Sequence, residues 1–204
     1  MSKVLVTESY LTAIGDAIRS KNSSTDRYKP SEMAGAINDI PMQGSQDNTV
    51  INSILDRSIS GNYVNGDLTK IGRYAFEYCD QLTFATFTKV TKIDGSAFSD
   101  CRSLESISLP EVKKIEQSAF AYCSSLKSIS MPKIEVLSSD SFYWGIFDYC
   151  GMTTINIPST IKSIGKNAFE NSKITTINID KPANSISGSP WGATNATVNW
   201  TGTM

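Results

Sequence analysis

The 204-residue chain contains no histidine. That absence removes His-assisted serine or cysteine nucleophiles, imidazole metal ligands and histidine-based pH switches together. Charge is also scarce: 19% of residues are charged and the net charge is −1. Lysines occur singly or in pairs such as Lys113 and Lys114, balanced by nearby glutamates, so there is no basic face to attract a nucleic acid. No stretch approaches the ~18 apolar residues of a membrane span, and the opening MSKVLVTES has no apolar core of a signal peptide. The chain is therefore expected to be made and kept in a cytosol with reduced thiols. GxGxxG, P-loop and EF-hand spacings are all missing. No cofactor is implied.

What is present is a repeat. Cys79, Cys101 and Cys123 recur every 22 residues, and so do Ile71, Ile93 and Ile115, Phe76, Phe98 and Phe120, and Leu82, Leu104 and Leu126. A fourth unit is longer: Phe120 to Phe142 keeps the step of 22, but Cys123 to Cys150 is 27. The extra residues are placed at Tyr143 to Phe147. A fifth unit returns to the period with Phe169 and carries Ser172 in the cysteine position.

A period of this size with the pattern L-x-x-I-x-L marks a solenoid, each unit one coil burying its apolar side against its neighbours. Stacked strands lie about 4.8 Å apart, so equivalent residues form columns, and the cysteines read as a buried column of small hydrophobes. Zinc would need short C-x-x-C spacings, and a catalytic thiol would need a base. Sulfurs of adjacent coils stand near enough in this reading to raise the question of oxidation.

The ends differ. In residues 1–44, Leu11, Ile14 and Ile18 share one helical face after Thr7, and Met33 and Ile37 begin a second stripe that Ile40 completes before Pro41. A helical hairpin is predicted there. So small a unit rarely encloses its own core, so it either caps the solenoid or attaches the chain to a partner. Residues 45–56 are read as linker and start of a cap, 57–182 as solenoid with a degenerate first coil at 57–70, and 183–204 as a terminal strand cap. In that last tract Gly188, Pro190 and Gly192 make turns, while Ala196, Val198 and Trp200 alternate like a strand. Trp191 and Trp200 are alternatively sugar-stacking residues. Asn195 and Asn199 sit in N-x-T sequons.

The strand positions expected to face solvent are Phe84 and Thr86, Ser106 and Ser108, Ser128 and Ser130, Thr154 and Asn156, and Thr176 and Asn178. This face is neutral and rich in hydroxyls and amides. It suits repeated weak hydrogen bonding to a polysaccharide or protein, and it equally suits a sheet that simply stays soluble. It offers Glu105 facing Lys127 rather than the paired carboxylates of a glycosidase. Lys127 and Ser128, as strand neighbours, point to opposite faces. The insertion is the more informative feature, since insertions leave a coil as loops and loops bind. Tyr143 and Trp144 are candidate contacts there, with Phe142 or Phe147 retained in the core.

The motif IGxxAFxxCxxLxxIxLP resembles the BspA-like leucine-rich repeat family over about residues 68–180. The resemblance implies a mainly β fold with short helices, organised as a right-handed leucine-rich-repeat solenoid. It also implies surface or adhesion proteins of bacteria and parts of bacteriophage tails. LTAIGDAIRSKNSSTDRYKPSEMAGAINDI is similar to a segment of tail and baseplate proteins of phages of Gram-positive bacteria, and SGSPWGATNAT is similar to the closing segment of phage-borne proteins of this repeat type. Together these resemblances imply a non-enzymatic virion component, attached through Leu11, Ile14, Ile18, Met33 and Ile37 and displaying the solenoid. Its implied partners are other tail proteins and a host-surface glycan or protein, with homo-oligomerisation a further expectation. The competing readings are a bacterial cell-surface adhesin and, third, a carbohydrate-active enzyme.

Overall fold

The computed structural model describes residues 57–139 and 144–203. Twelve short strands, numbered in chain order, fall into three parallel sheets. One sheet stacks β1 (Gly61–Asn65), β3 (Leu82–Phe87), β5 (Ser106–Ser108) and β7 (Ser128–Ser130). A second stacks β2 (Lys70–Ile71), β4 (Lys92–Ile93), β6 (Lys114–Ile115), β8 (Val136–Leu137) and β10 (Ser163–Ile164). A third holds β9 (Thr154–Ile157), β11 (Thr176–Ile179) and β12 (Thr197–Trp200). This is the predicted solenoid, with partners one coil apart such as Ile107 and Ile129 or Ile177 and Ile155. Among the described residues there is no helix. The helical hairpin expected over residues 1–44 lies outside them.

The repeat becomes structure through columns. Phe76, Phe98, Phe120, Phe147 and Phe169 are each fully buried. Their rings stack nearly parallel, at 4.9 Å between Phe76 and Phe98, 5.3 Å between Phe98 and Phe120, and 5.7 Å between Phe120 and Phe147. Each phenylalanine therefore serves as the floor of one coil and the ceiling of the next, an arrangement in which neighbours supply nearly all the stabilisation. Trp191 extends the column edge-on to Phe169 at 6.2 Å. It is fully buried, and its indole N–H donates to the Ser187 carbonyl at 2.7 Å. Trp191 is thus core rather than a sugar platform. The C-terminal tract forms a further coil, and β12 covers β11 in parallel.

All four cysteines are free and buried. Burial raises the thiol pKa of Cys101 and Cys123 well above the usual range and that of Cys150 to about 11. A buried neutral thiol is a poor nucleophile and a poor ligand. The position also has a job as a donor: the Cys101 thiol hydrogen-bonds the Phe76 carbonyl at 2.9 Å and the Cys123 thiol the Phe98 carbonyl at 3.1 Å. Ser172 satisfies the Phe169 carbonyl of its own coil at 2.7 Å, so a hydroxyl is tolerated there. Cys123→Ala should cost about 1–2 kcal/mol by thermal or urea unfolding, through a small cavity and a lost weak donor. A loss of surface attachment without a loss of stability would contradict this role.

Charge on the second sheet runs in a staggered ladder. On the second sheet Lys92 bridges Asp94 and Glu116 at 2.8 Å each, with Lys70 on Asp94 at 2.9 Å and Lys114 on Glu116 at 3.2 Å. Across the coils each lysine is offset by an acid, so this face is neutral too. These pairs are half-buried at the surface, and their effect here is to cancel like-charge repulsion between the stacked lysines of β2, β4 and β6.

Candidate recognition surface

The longer coil is where periodicity breaks. Phe147 continues the aromatic column, and Ile146 before it takes the buried slot of Ala97 and Ala119. The extra residues therefore lie before Ile146, and the expected bulge of Tyr143 to Phe147 is corrected: Ile146 and Phe147 are core. Trp144 is 44% exposed. Tyr143 and Phe142 lie outside the described residues. Gly145 is required for close approach, because a Cβ there would stand 2.7 Å from the Asn167 carbonyl oxygen.

Trp144 does not stand alone. Its ring is 6.0 Å from that of Tyr122, which stacks on Tyr149 at 5.0 Å and 14°. Tyr149 is 50% exposed. Both tyrosines occupy the second position after the column phenylalanine, where the backbone is left-handed, with φ of 59° at Tyr122 and 51° at Tyr149. Tyr78, Asp100 and Asn171 share that conformation. The Tyr122 N–H reaches the Asp148 carbonyl of the next coil at 2.7 Å, and the Tyr149 N–H reaches Asn171 at 3.2 Å. These bonds between coils hold the strained turns and aim their side chains outward. Sequence reasoning missed Tyr122 and Tyr149, although their shared offset from the column phenylalanine was visible.

Beneath this cluster Asp148 is fully buried, with neither carboxylate oxygen in a hydrogen bond. Desolvation lifts its pKa to about 6, and the neighbouring Glu170 adds to the rise. Asn171 and the Gly145 backbone offset part of it without reaching hydrogen-bond geometry. Since it is buried, this acid does not reach a surface ligand. Among the described residues no group of three or more potential ligands is placed to hold a metal, and no helix is long and apolar enough to cross a membrane.

The hydroxyl and amide face is divided. Ser106 and Ser108 align with Ser128 and Ser130, and Thr154 and Asn156 align with Thr176 and Asn178. Ser128, Ser130, Thr154 and Asn156 are exposed, whereas Ser106, Ser108, Thr176 and Asn178 are half-buried. But β7 and β9 are not paired, so the two halves do not form the single array the repeat suggested. The reason is in the spacing. Phe76 to Ala85, Phe98 to Ile107 and Phe120 to Ile129 each span nine residues, whereas Phe147 to Ile155 and Phe169 to Ile177 span eight. Strands of equal spacing stay in register, and the ladder parts where the spacing changes. A notch of about 430 Å³ opens there, lined by Ile129, Ser130, Met131, Asn156, Ile157 and Asn178 among others.

The BspA type leucine-rich repeat region matches in six copies over residues 56–145 and 143–196, and the chain belongs to that family. Proteins of this repeat family are generally binding or structural proteins rather than enzymes. Among solved structures, a leucine-rich repeat protein of T. pallidum is similar at 24% identity with a TM-score of 0.54, over 66% of this chain and 63% of that one. A leucine-rich repeat protein from Bacteroides ovatus is 25% identical over 55% of this chain and 35% of its own, with a TM-score of 0.45. A leucine rich cell surface protein from Faecalibacterium prausnitzii is 23% identical over 61% and 41%, with a TM-score of 0.42. The chain thus spans less than two thirds of the length of each of these. No match is found among curated proteins.

Proposed function

We propose that this chain is a non-enzymatic recognition protein of a tailed phage or prophage particle. In this reading residues 1–44 join it to other tail proteins, and the solenoid is displayed toward a glycan or protein of the host surface. The observation that carries recognition is the Trp144, Tyr122 and Tyr149 cluster, set where the longer coil meets the coil before it. Exposed aromatics on a rigid scaffold serve as anchors, worth up to about 2 kcal/mol or more each. The particle context is supported by the resemblance of both termini to phage proteins. The family's fold equally suits a bacterial adhesin, and cell fractionation separates the two readings.

The test is Trp144→Ser combined with Tyr149→Ser, measured for melting temperature and for attachment of the labelled protein to host cells or wall glycans. Both rings are about half exposed, so little stability should be lost, while attachment should weaken by about tenfold or more. Collapse of melting would show that the rings are core. Unchanged attachment would place recognition elsewhere.

A further inference from the structure

The notch is a missing step in a ladder. Elsewhere successive coils are tied by bonds such as Lys127 N–H to the Glu105 carbonyl, Thr175 N–H to Thr153 and Thr197 N–H to Thr175, at 2.8 to 2.9 Å. Among the described residues no such bond joins Thr153 to Lys127, and β7 and β9 each pair on one side only. The coils nevertheless stay together on their other sides, through β8 with β10 and through the Gly151 N–H to the Cys123 carbonyl at 3.2 Å. The opening is therefore a wedge, closed at its back and open on the strand face.

Two details define what the wedge takes. Ile129 is half-buried there, whereas its column neighbours Ile107 and Ile155 are 2% exposed, so an apolar side chain is left without its cover. A directed amide ladder also ends at the wedge: the Asn199 side-chain amide donates to Asn178 Oδ1 at 2.9 Å and that of Asn178 to Asn156 Oδ1 at 2.8 Å. The Asn156 amide N–H groups make no further hydrogen bond among the described residues. An unpaired strand edge on each side, an uncovered isoleucine and an unused amide donor are what a strand position looks like before the strand arrives.

We propose that the notch binds an extended peptide segment of a partner protein, taken up as an additional parallel strand between β7 and β9. Strand addition draws affinity from main-chain hydrogen bonds and selectivity from alternate side chains. Here one side chain would cover Ile129, and the next would present an amide or hydroxyl oxygen to Asn156. The preferred segment is short, matching the three and four residues of β7 and β9, with an Ile-Asn or Val-Ser kind of alternation. A sugar ring offers neither the repeat distance of a backbone nor a chain of amides, so a peptide fits the open groups better than a glycan. This site is separate from the aromatic cluster, and its test does not depend on host attachment.

The probe is the synthetic peptide KITTINID, a copy of residues 173–180, titrated into the full-length protein by calorimetry. The control is the same peptide N-methylated at alternate backbone amides. The unmodified peptide should bind, and methylation should weaken it by about tenfold or more because the ladder bonds are lost. Asn156→Ala should weaken the unmodified peptide while leaving the melting temperature unchanged. Amide hydrogen exchange at Thr154 and Asn156, the residues of β9 that alternate away from β11, should be fast in the free protein and slow in the complex. No binding at millimolar peptide, equal binding of the methylated peptide, or protection of those amides without peptide would each overturn the proposal. So would a glycan that protects them while the peptide does not.

Discussion

Phe147→Ala is expected to lower stability by about 3–5 kcal/mol, among the largest losses of any single truncation in this chain. The side chain is fully buried and lies between Phe120 at 5.7 Å and Phe169 at 6.0 Å. Its place makes the loss unusual in kind. It sits in the coil at which the strand ladder is already open, so the aromatic column carries a larger share of the coupling between the first coils and the last. Removing the ring should therefore uncouple two blocks as well as leave a cavity. In urea unfolding followed by intrinsic fluorescence and by circular dichroism, the wild type should give coincident transitions and Phe147→Ala separated ones. Phe98→Ala, within the first block, should lose comparable stability without separating them. A Phe147→Ala protein that unfolds in one step with little loss would show that the column does not join the blocks.

The second large effect is of pH. Glu77, half-buried, has its pKa raised to about 7, chiefly by desolvation, with Arg57 opposing and Asp100 adding to the shift. Asp148 is raised to about 6 for the reasons given above. In the unfolded chain both return to ordinary carboxylate values near 4. A raised folded pKa means the folded state holds its proton longer, so the stability these groups contribute is full below about pH 4 and is lost as pH rises to about 7. Asp94 and Glu116, whose pKa values are lowered by their lysines, act in the opposite sense, but their contribution is lost only as pH falls below the ordinary carboxylate range. Between about pH 5 and pH 8 the raised pair should dominate, with a fall of roughly 2 kcal/mol after allowance for partial solvent screening. Melting temperatures across that range should decline and then level off. Asp148→Asn should raise stability at pH 8 and flatten the decline. A melting temperature that climbs from pH 5 to pH 8 would contradict these assignments.

How much of this was legible in advance depended on whether a feature repeats. Phe76, Phe98, Phe120 and their cysteines announce both the coil and its inward face, because a column needs the same residue at the same step. The insertion was legible as an excess length but was misplaced. Phe142 and Phe147 stand at either end of five residues, and the period alone fits both. The deciding signal was the apolar residue before the column phenylalanine, Ile146 in the place of Ala97 and Ala119. The seam between β7 and β9 is present as the change of spacing from nine residues to eight, which the 22-residue period on either side of it does not reveal. Trp191 left a sugar-stacking alternative open beside its place in the cap because it is not phenylalanine, although it stands 22 residues after Phe169. Tyr122 and Tyr149 come together only because their turns are left-handed and bonded between coils, which composition does not reveal.

The central claim is that this repeat surface is carried on a phage particle, and one measurement addresses it directly. The strain that encodes the chain is induced, particles are purified through a density gradient, and their proteins are quantified by peptide mass spectrometry alongside the cell-envelope fraction. The account predicts peptides of this chain co-sedimenting with the tail proteins of the particles at a fixed ratio. Peptides confined to the envelope, with none in the particles, would contradict it and favour the adhesin.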